Sequence, residues 1–342
     1  MTSLTSAGEE GAEGRERSAL EEMARVLTAA GDYRVLRRFR PRRRYETAAP
    51  GAELRRGVVL DVETTGTGAN DRIIEIACLP FTFDRATGAV LEVEGAVTFL
   101  EDPGVPIPDA VVELTGITDA MVAGHTIDDA AIEAVLMAAD LVIAHNARFD
   151  CPFVERRFPT IASRWWACSM SEVPWKRLGN PSNAMEALLI THAGEFPPDG
   201  DEERAHRAGT DCAMTLHCLA TRLRDGSRPL AHLLESARRV TYQAWAVGSP
   251  IATKDALRAR GYRWCNGDDG RPRAWWRELP SAELHAEREW LMAEVYAGTR
   301  ARPDIRRITA RERWSSRWEP QGVRAEDAVL PPARRDGVRE KE

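Results

Sequence analysis

The feature that most constrains this chain is the run Val58-Val59-Leu60-Asp61-Val62-Glu63-Thr64-Thr65-Gly66. Apolar and β-branched residues ahead of two acids predict a strand leaving a core, closed by a Thr-Thr-Gly turn. Successive strand side chains point to opposite faces, so Asp61 and Glu63 share one. Neighbouring carboxylates repel, and keeping both ionised calls for something positive between them. Two readings stay open on this stretch alone. One is a divalent-metal site, because hard cations take oxygen ligands. The other is a solvated edge strand with alternating acids, and a lone D-x-E does not choose between them.

At 342 residues the chain exceeds one average domain and suffices for two. No apolar run reaches the roughly 18 residues of a membrane span, so no membrane partner is expected. Met1 to Gly14 is polar and acidic and lacks the apolar core of a secretory signal. The cysteines at 78, 151, 168, 212, 218 and 265 form no C-x-x-C pair. They read as free thiols of a reducing, cytoplasmic setting and not as zinc ligands or a disulfide framework. The net charge of −6 does not advertise a nucleic-acid binder, but its distribution is uneven. Arg34, Arg37, Arg38, Arg40, Arg42, Arg43 and Arg44 crowd one stretch, and Arg300 to Arg317 forms another arginine-rich region. Such patches grip phosphates or a partner, or else simply solvate a face.

Along the chain, residues 1–17 read as disordered. Leu20, Met23, Ala24, Val26 and Leu27 then predict an amphipathic helix stopped at Gly31-Asp32. With the arginine cluster these make residues 1–50 an N-terminal extension. Residues 51–247 carry the main domain. Its first strand, Ile73–Phe83 and Val90–Leu100 suggest an antiparallel meander. Helices are predicted at Asp109–Leu114, Asp119–Val122, Ile127–Ala139, Phe149–Arg157, Ala184–His192, Ala208–Leu223 and Leu230–Ala246, with strands at Leu141–Ala144 and near Ala167–Met170. The order implies an α/β fold, a mixed sheet flanked by helices. Gly248-Ser249-Pro250 marks the expected boundary to a small α+β module, 248–318. There Thr253 can cap a helix Lys254–Arg260, Gly261 ends it, and Tyr262–Cys265 pairs with Ala274–Leu279 as a hairpin. A second helix is expected from Ser281 to Gly298. The charged, Pro-rich 319–342 reads as a disordered tail.

Two further acids stand out. Asp150, in His145-Asn146-Ala147-Arg148-Phe149-Asp150, falls at a strand-to-helix junction, where α/β proteins build sites. His206 and Asp211 lie five apart, about 140° around a helix axis. His206 is therefore expected in the loop before a helix and Asp211 inside it.

Together, Asp61-Val62-Glu63-Thr64-Thr65-Gly66, Leu114-Thr115-Gly116-Ile117-Thr118, His145-Asn146-Ala147-x-Phe149-Asp150 and His206-x-Ala208-x-x-Asp211 resemble the motifs of the DEDD exonucleases. The histidine places the resemblance in the DEDDh (DnaQ-like) branch, which includes proofreading subunits of bacterial DNA polymerase III. It covers roughly residues 54–225. The resemblance implies an RNase H-like fold, two Mg²⁺ or Mn²⁺ ions and 3′→5′ hydrolysis of nucleic acid. It implies Asp61, Glu63, Asp150 and Asp211 as metal ligands and His206 as the base that takes a proton from water. Thr64, Thr65, Leu114 and Thr115 fall where the family contacts the terminal nucleotide, and Asn146 and Phe149 flank Asp150. For Leu114 and Phe149, plain core packing stays equally open. The chemistry agrees: phosphodiester hydrolysis builds negative charge on entering and leaving oxygens, which two metals about 3.5–4 Å apart stabilise.

The loop Gly194–Ala205 departs from compact relatives in length and acidity, and no short clamp-binding peptide is evident. The stretch from Lys254 to Arg277 resembles a C-terminal module of exonucleases related to exodeoxyribonuclease X. Its Tyr262, Arg263, Trp264, Arg273, Trp275, Trp276 and Arg277 interleave rings and cations, which suits either unpaired bases or a small core. Trp165 and Trp166 stay open between core and surface. The expected activity is metal-dependent 3′→5′ exonucleolysis, on DNA in preference to RNA, in repair or accessory proofreading with a possible polymerase partner. The alternatives are a 3′→5′ exoribonuclease and a non-catalytic nucleic-acid-binding scaffold.

Overall fold

The structure, a computed structural model, describes residues 6–198, 205–267 and 270–317, with side chains from residue 18 onward. The chain divides into two units, Met1–Ser236 and Ala237–Glu342.

The first unit begins with helix α1 (Ser6–Ala30), so residues 6–17 are helical where disorder was expected. The short strand β1 (Arg37–Arg38) follows. Then come β2 (Leu54–Thr64), β3 (Ile73–Asp84), β4 (Val90–Val93) and β5 (Val97–Leu100), the meander with its last strand broken in two. Helices α2 (Asp109–Thr115), α3 (Asp119–Val122) and α4 (Asp129–Ala138) lead to β6 (Leu141–Ala144). Next are α5 (Ala147–Arg157), β7 (Trp166–Cys168), α6 (Ser169–Glu172), α7 (Met185–Leu188) and β8 (Glu195–Phe196), then α8 (Ala208–Ala220) and α9 (Pro229–Ala237).

The main sheet has the order β4-β3-β2-β6-β7, with β5 also on β3. β2 runs antiparallel to β3 and parallel to β6, making the sheet mixed, as expected. Val58, Val59 and Leu60 are almost wholly buried, which explains why β2 is apolar on both faces before its acids begin. Gly57 is required there: a Cβ would lie 2.4 Å from the Phe81 ring of the paired strand. On the sheet lies α8, whose Cys212 thiol reaches the carbonyl oxygens of Val59 at 3.4 Å and Ala77 at 3.5 Å. All six cysteines are free and buried. Trp166 is core, whereas Trp165 is 40% exposed.

The arginine cluster serves the fold. β1 pairs in parallel with β8, and Arg42 ion-pairs with Glu195 at 2.9 Å. Arg34 donates to the carbonyls of Ile190 and Thr191, Arg37 pairs with Glu21, and Arg44 pairs with Glu92. Four of the seven guanidiniums in this stretch thus bind acids or carbonyls of the same unit.

The second unit starts earlier than the expected boundary at 248. The helix expected over Leu230–Ala246 stops at Ala237, and β9 (Thr241–Ala246) follows. Its Thr, Tyr and Trp residues favour a pleated, half-buried surface over a helix. Then come α10 (Lys254–Ala259), β10 (Arg263–Cys265), β11 (Ala274–Pro280), α11 (Leu284–Trp290) and β12 (Asp304–Ile308). They form an antiparallel sheet, β10-β11-β9-β12, with the expected hairpin at its edge. Leu257 of α10 and Leu284 and Trp290 of α11 pack against Ala244, Ala246 and Leu279 on one face. The Thr253 hydroxyl bonds the Pro250 carbonyl and does not cap α10. Gly261 ends that helix at φ +91°, as expected. Residues 319–342 lie outside the described residues.

Candidate metal centre

Asp61 and Glu63 stand on the same face of β2, just beyond its fully buried part. Asp211 sits in the first turn of α8. One carboxylate oxygen from each of Asp61, Glu63 and Asp211 can be chosen so that all three lie within 4.8 Å of one another. Asp150 is the fourth acid. It lies in the first turn of α5, is 2% exposed, and accepts the Val62 N–H at 3.2 Å, which ties it to β2 between the two strand acids.

The electrostatics of this group are unfavourable as they stand. Burial, then the charges of Asp150, Asp211 and Glu63, push the Asp61 carboxyl well above the ordinary range. Glu63 is driven up to about 9 by burial and by Asp211 and Glu75. Burial also raises Asp150 and Asp211, the first although Val62 donates to it. The Arg207 guanidinium tempers Glu63 only at a distance, being paired with Glu75 at 2.7 Å. Convergent, partly buried oxygens with raised proton affinity are the donor set a hard divalent cation needs.

His206 precedes α8 in a loop, as expected. Among the described residues it is the one non-glycine residue at positive φ, 63°, a conformation that is strained outside glycine. Its backbone N–H donates to Asp211 Oδ1 at 3.3 Å, so this bent backbone orients a centre carboxylate.

Glu75 was not anticipated. It pairs with Glu63 across β2 and β3 and is 1% exposed. Its carboxylate accepts from Arg207 Nε and Nη2 and from the Ala208 N–H at 2.9 Å. It thereby fastens the start of α8, between His206 and Asp211, to the strand opposite Glu63. The available signal was one acid inside the otherwise apolar Ile73-Ile74-Glu75-Ile76.

The other expected residues divide. Thr64 donates to the Gly66 carbonyl, while Thr65 donates to Asp71 and accepts from the Arg72 N–H. Both hydroxyls therefore shape the turn; a Cβ on Gly66 would meet the Asp71 carboxylate at 2.7 Å. Thr115 is fully buried, donating to Val111 and accepting from the Ile117 N–H, so its hydroxyl gives no support to a substrate contact. Leu114 is 51% exposed. Phe149 is partly buried, with its ring 5.1 Å from that of Phe153. Asn146 is exposed and caps α5 through its carbonyl, which accepts from Phe149 at 2.7 Å. His145 is held by Ser169 and the Asn183 carbonyl, and burial lowers it to about 4: a structural imidazole.

A mixed sheet flanked by helices thus carries four converging acids at the end of its central strand, with no ion pair to any of them among the described residues. Residues 58–219, somewhat under half of the chain, match the family model RNase_T, described as Exonuclease. The chain is 33% identical over 167 residues to the PolC-type DNA polymerase III of Clostridium perfringens, covering 47% of this chain and 11% of that one. It is 32% identical over 171 residues to the same polymerase of Mycoplasma pneumoniae, covering 45% and 10%. The chain thus spans about a tenth of the length of these relatives. Looser likenesses are to a solved Exonuclease X bound to 5′-overhanging duplex DNA and to an E. coli ExoI–ssDNA complex. The first has 26% identity and TM-score 0.38, covering 48% of this chain and 89% of that one. The second has 16% identity and TM-score 0.45, covering 66% and 63%. Among the described residues no helix is long and apolar enough to cross a membrane.

Proposed function

We propose that this chain is a divalent-metal-dependent 3′→5′ exonuclease that releases nucleoside monophosphates from DNA, in repair or accessory proofreading. The observation that carries the reading is the convergence of Asp61, Glu63 and Asp211 within 4.8 Å, with Asp150 buried beside them. The polymerase relatives favour DNA as the substrate.

In this reading Asp61, Glu63, Asp150 and Asp211 hold Mg²⁺ or Mn²⁺, which when bound supplies Lewis-acid stabilisation of the charge growing on the phosphate. His206 takes the proton of the attacking water and, on the loop before α8, can approach and withdraw as substrate enters. Glu75 and Arg207 keep the start of α8 in register, so that Asp211 faces the strand acids. Leu114 and Phe149 offer partly exposed apolar surface to the terminal base, and Asn146 an exposed amide. The Thr64–Gly66 turn fixes the floor beneath the sugar.

The test uses 3′- and 5′-labelled DNA and RNA oligonucleotides with Mn²⁺ or Mg²⁺, beside Asp61→Ala. The expected result is shortening of DNA from its 3′ end, abolished by chelator and by the substitution. Cleavage indifferent to chelator or to Asp61→Ala would refute the reading. Selective loss of RNA would transfer the substrate to the exoribonuclease alternative.

A further inference from the structure

The second unit differs in charge from the chain that carries it. Residues 237–317 hold seventeen arginines and lysines against ten aspartates and glutamates, in a chain of net charge −6. Positive charge concentrated in one module is the electrostatic footprint of a polyanion partner.

Its hairpin sorts four tryptophans into two pairs. Trp245 and Trp276 stack at 5.4 Å with 15° between planes and are both buried, so they are core. Trp264 and Trp275 are register partners on the opposite face, where Trp275 packs against the core under α10 and α11, and their rings meet at 5.6 Å and 64°, edge to face. That arrangement leaves Trp264 49% exposed. The Arg258 guanidinium lies 5.7 Å from the Trp275 ring, and its contact with Asp255 is long, 3.8 Å, between two exposed side chains. A lone exposed apolar residue is ordinary. An exposed indole braced edge-on by a second indole, with an arginine over that second ring and a positive module around it, is the composition of a base-stacking platform.

We propose that the Trp264–Trp275 face binds single-stranded nucleic acid, an unpaired base stacking on Trp264 while Arg258 and neighbouring cations hold phosphates. The choice of ligand rests on the nuclease reading of the first unit. Base stacking is indifferent to base identity, so the platform would retain strands of any sequence, with affinity falling as salt rises.

Full-length Asp61→Ala protein, which cannot degrade its ligand, is titrated into fluorescent oligo(dT) and oligo(U) in chelator, and anisotropy is read. Adding Trp264→Ala is expected to weaken binding at least about fivefold, the low end for loss of one stacked base. Trp264→Phe should restore most of it by keeping a π-face. In Asp61-containing protein, Trp264→Ala should leave hydrolysis of the p-nitrophenyl ester of thymidine 5′-monophosphate unchanged, because that ester offers no strand for the platform to hold. Unchanged oligonucleotide affinity in Trp264→Ala overturns the platform and leaves the nuclease reading intact. Absent ester and oligonucleotide hydrolysis alongside Trp264-dependent binding sinks the nuclease reading and leaves the platform standing. Stronger binding of oligo(U) than of oligo(dT) would identify RNA as the strand it holds.

Discussion

Each unit holds a group of buried carboxyl oxygens, and the acids at the end of β2 are treated oppositely to Glu287. In the second unit Glu287, 2% exposed, accepts from Arg260 at 3.0–3.1 Å, from Arg277 at 3.1 Å and from the Tyr262 hydroxyl at 2.9 Å. In the first unit Asp61, Glu63, Asp150 and Asp211 face one another, and the adjacent Arg207 is engaged by Glu75. A buried carboxylate surrounded by its own cations holds a fold together. Buried carboxylates left to repel one another keep a place for a cation from outside.

The largest expected effect comes from breaking the unpaired group. Asp61→Asn should lower exonuclease turnover by about 10³-fold, the scale of removing one key electrostatic group. The chelated variant should unfold no earlier than the wild type, since one repelling charge is gone. A clear fall in its Tm would mean that Asp61 is a structural acid like Glu287.

Glu287→Ala is the converse experiment. It strands Arg260 and Arg277 and should cost the second unit about 3–5 kcal/mol, seen as unfolding at lower urea concentration. An unchanged urea midpoint would erase the distinction between the two regions.

The third prediction concerns pH. The centre's carboxyls have folded-state proton affinities above those of the unfolded chain, Glu63 titrating at about 9 and Asp150 at about 7. Between about pH 4 and those values the folded protein binds more protons than the unfolded, so stability falls as pH rises. Chelated protein should therefore lose stability between pH 5 and pH 9. Mg²⁺ at a hundred times its Kd at pH 7 should restore about 2.7 kcal/mol, and the same concentration should restore more at higher pH, where deprotonated ligands lower the Kd. Thermal melts with and without chelator would show it; flat stability with pH would count against the repulsion.

The smallest effect belongs to Glu75. Glu75→Gln preserves shape but weakens the hold on Arg207 and Ala208, so metal affinity should fall about tenfold, the low end for a group that orients a ligand. Metal titration followed by activity measures it, and excess Mn²⁺ should recover turnover if Glu75 acts only by positioning Asp211.

What could be read from the chain tracks distance along it. Asp61 and Glu63, Asp150 at its junction, and His206 with Asp211 are local patterns, and the structure brings the four acids to one end of β2. Contacts made across long separations left no such mark. Glu75 meets Arg207 across 132 positions, and Arg42 meets Glu195 across 153. The arginine cluster could be read as a grip for phosphate or a partner or as a solvated face, and the sequence did not show that Arg34, Arg37, Arg42 and Arg44 reach acids and carbonyls of the same unit. Leu230–Ala246 had helical apolar spacing, and only pairing with β11 and β12 makes its second half a strand. Asp304–Ile308 hid as a strand among arginines, one of which, Arg306, is buried.

The central claim is that the unpaired acids await a divalent cation, and calorimetric titration of Mn²⁺ into chelator-stripped protein at pH 8 tests it most directly. The account predicts binding of two ions per chain with release of protons, the stoichiometry or affinity collapsing in Asp61→Asn. Absence of binding, or an isotherm unchanged by Asp61→Asn, would contradict it.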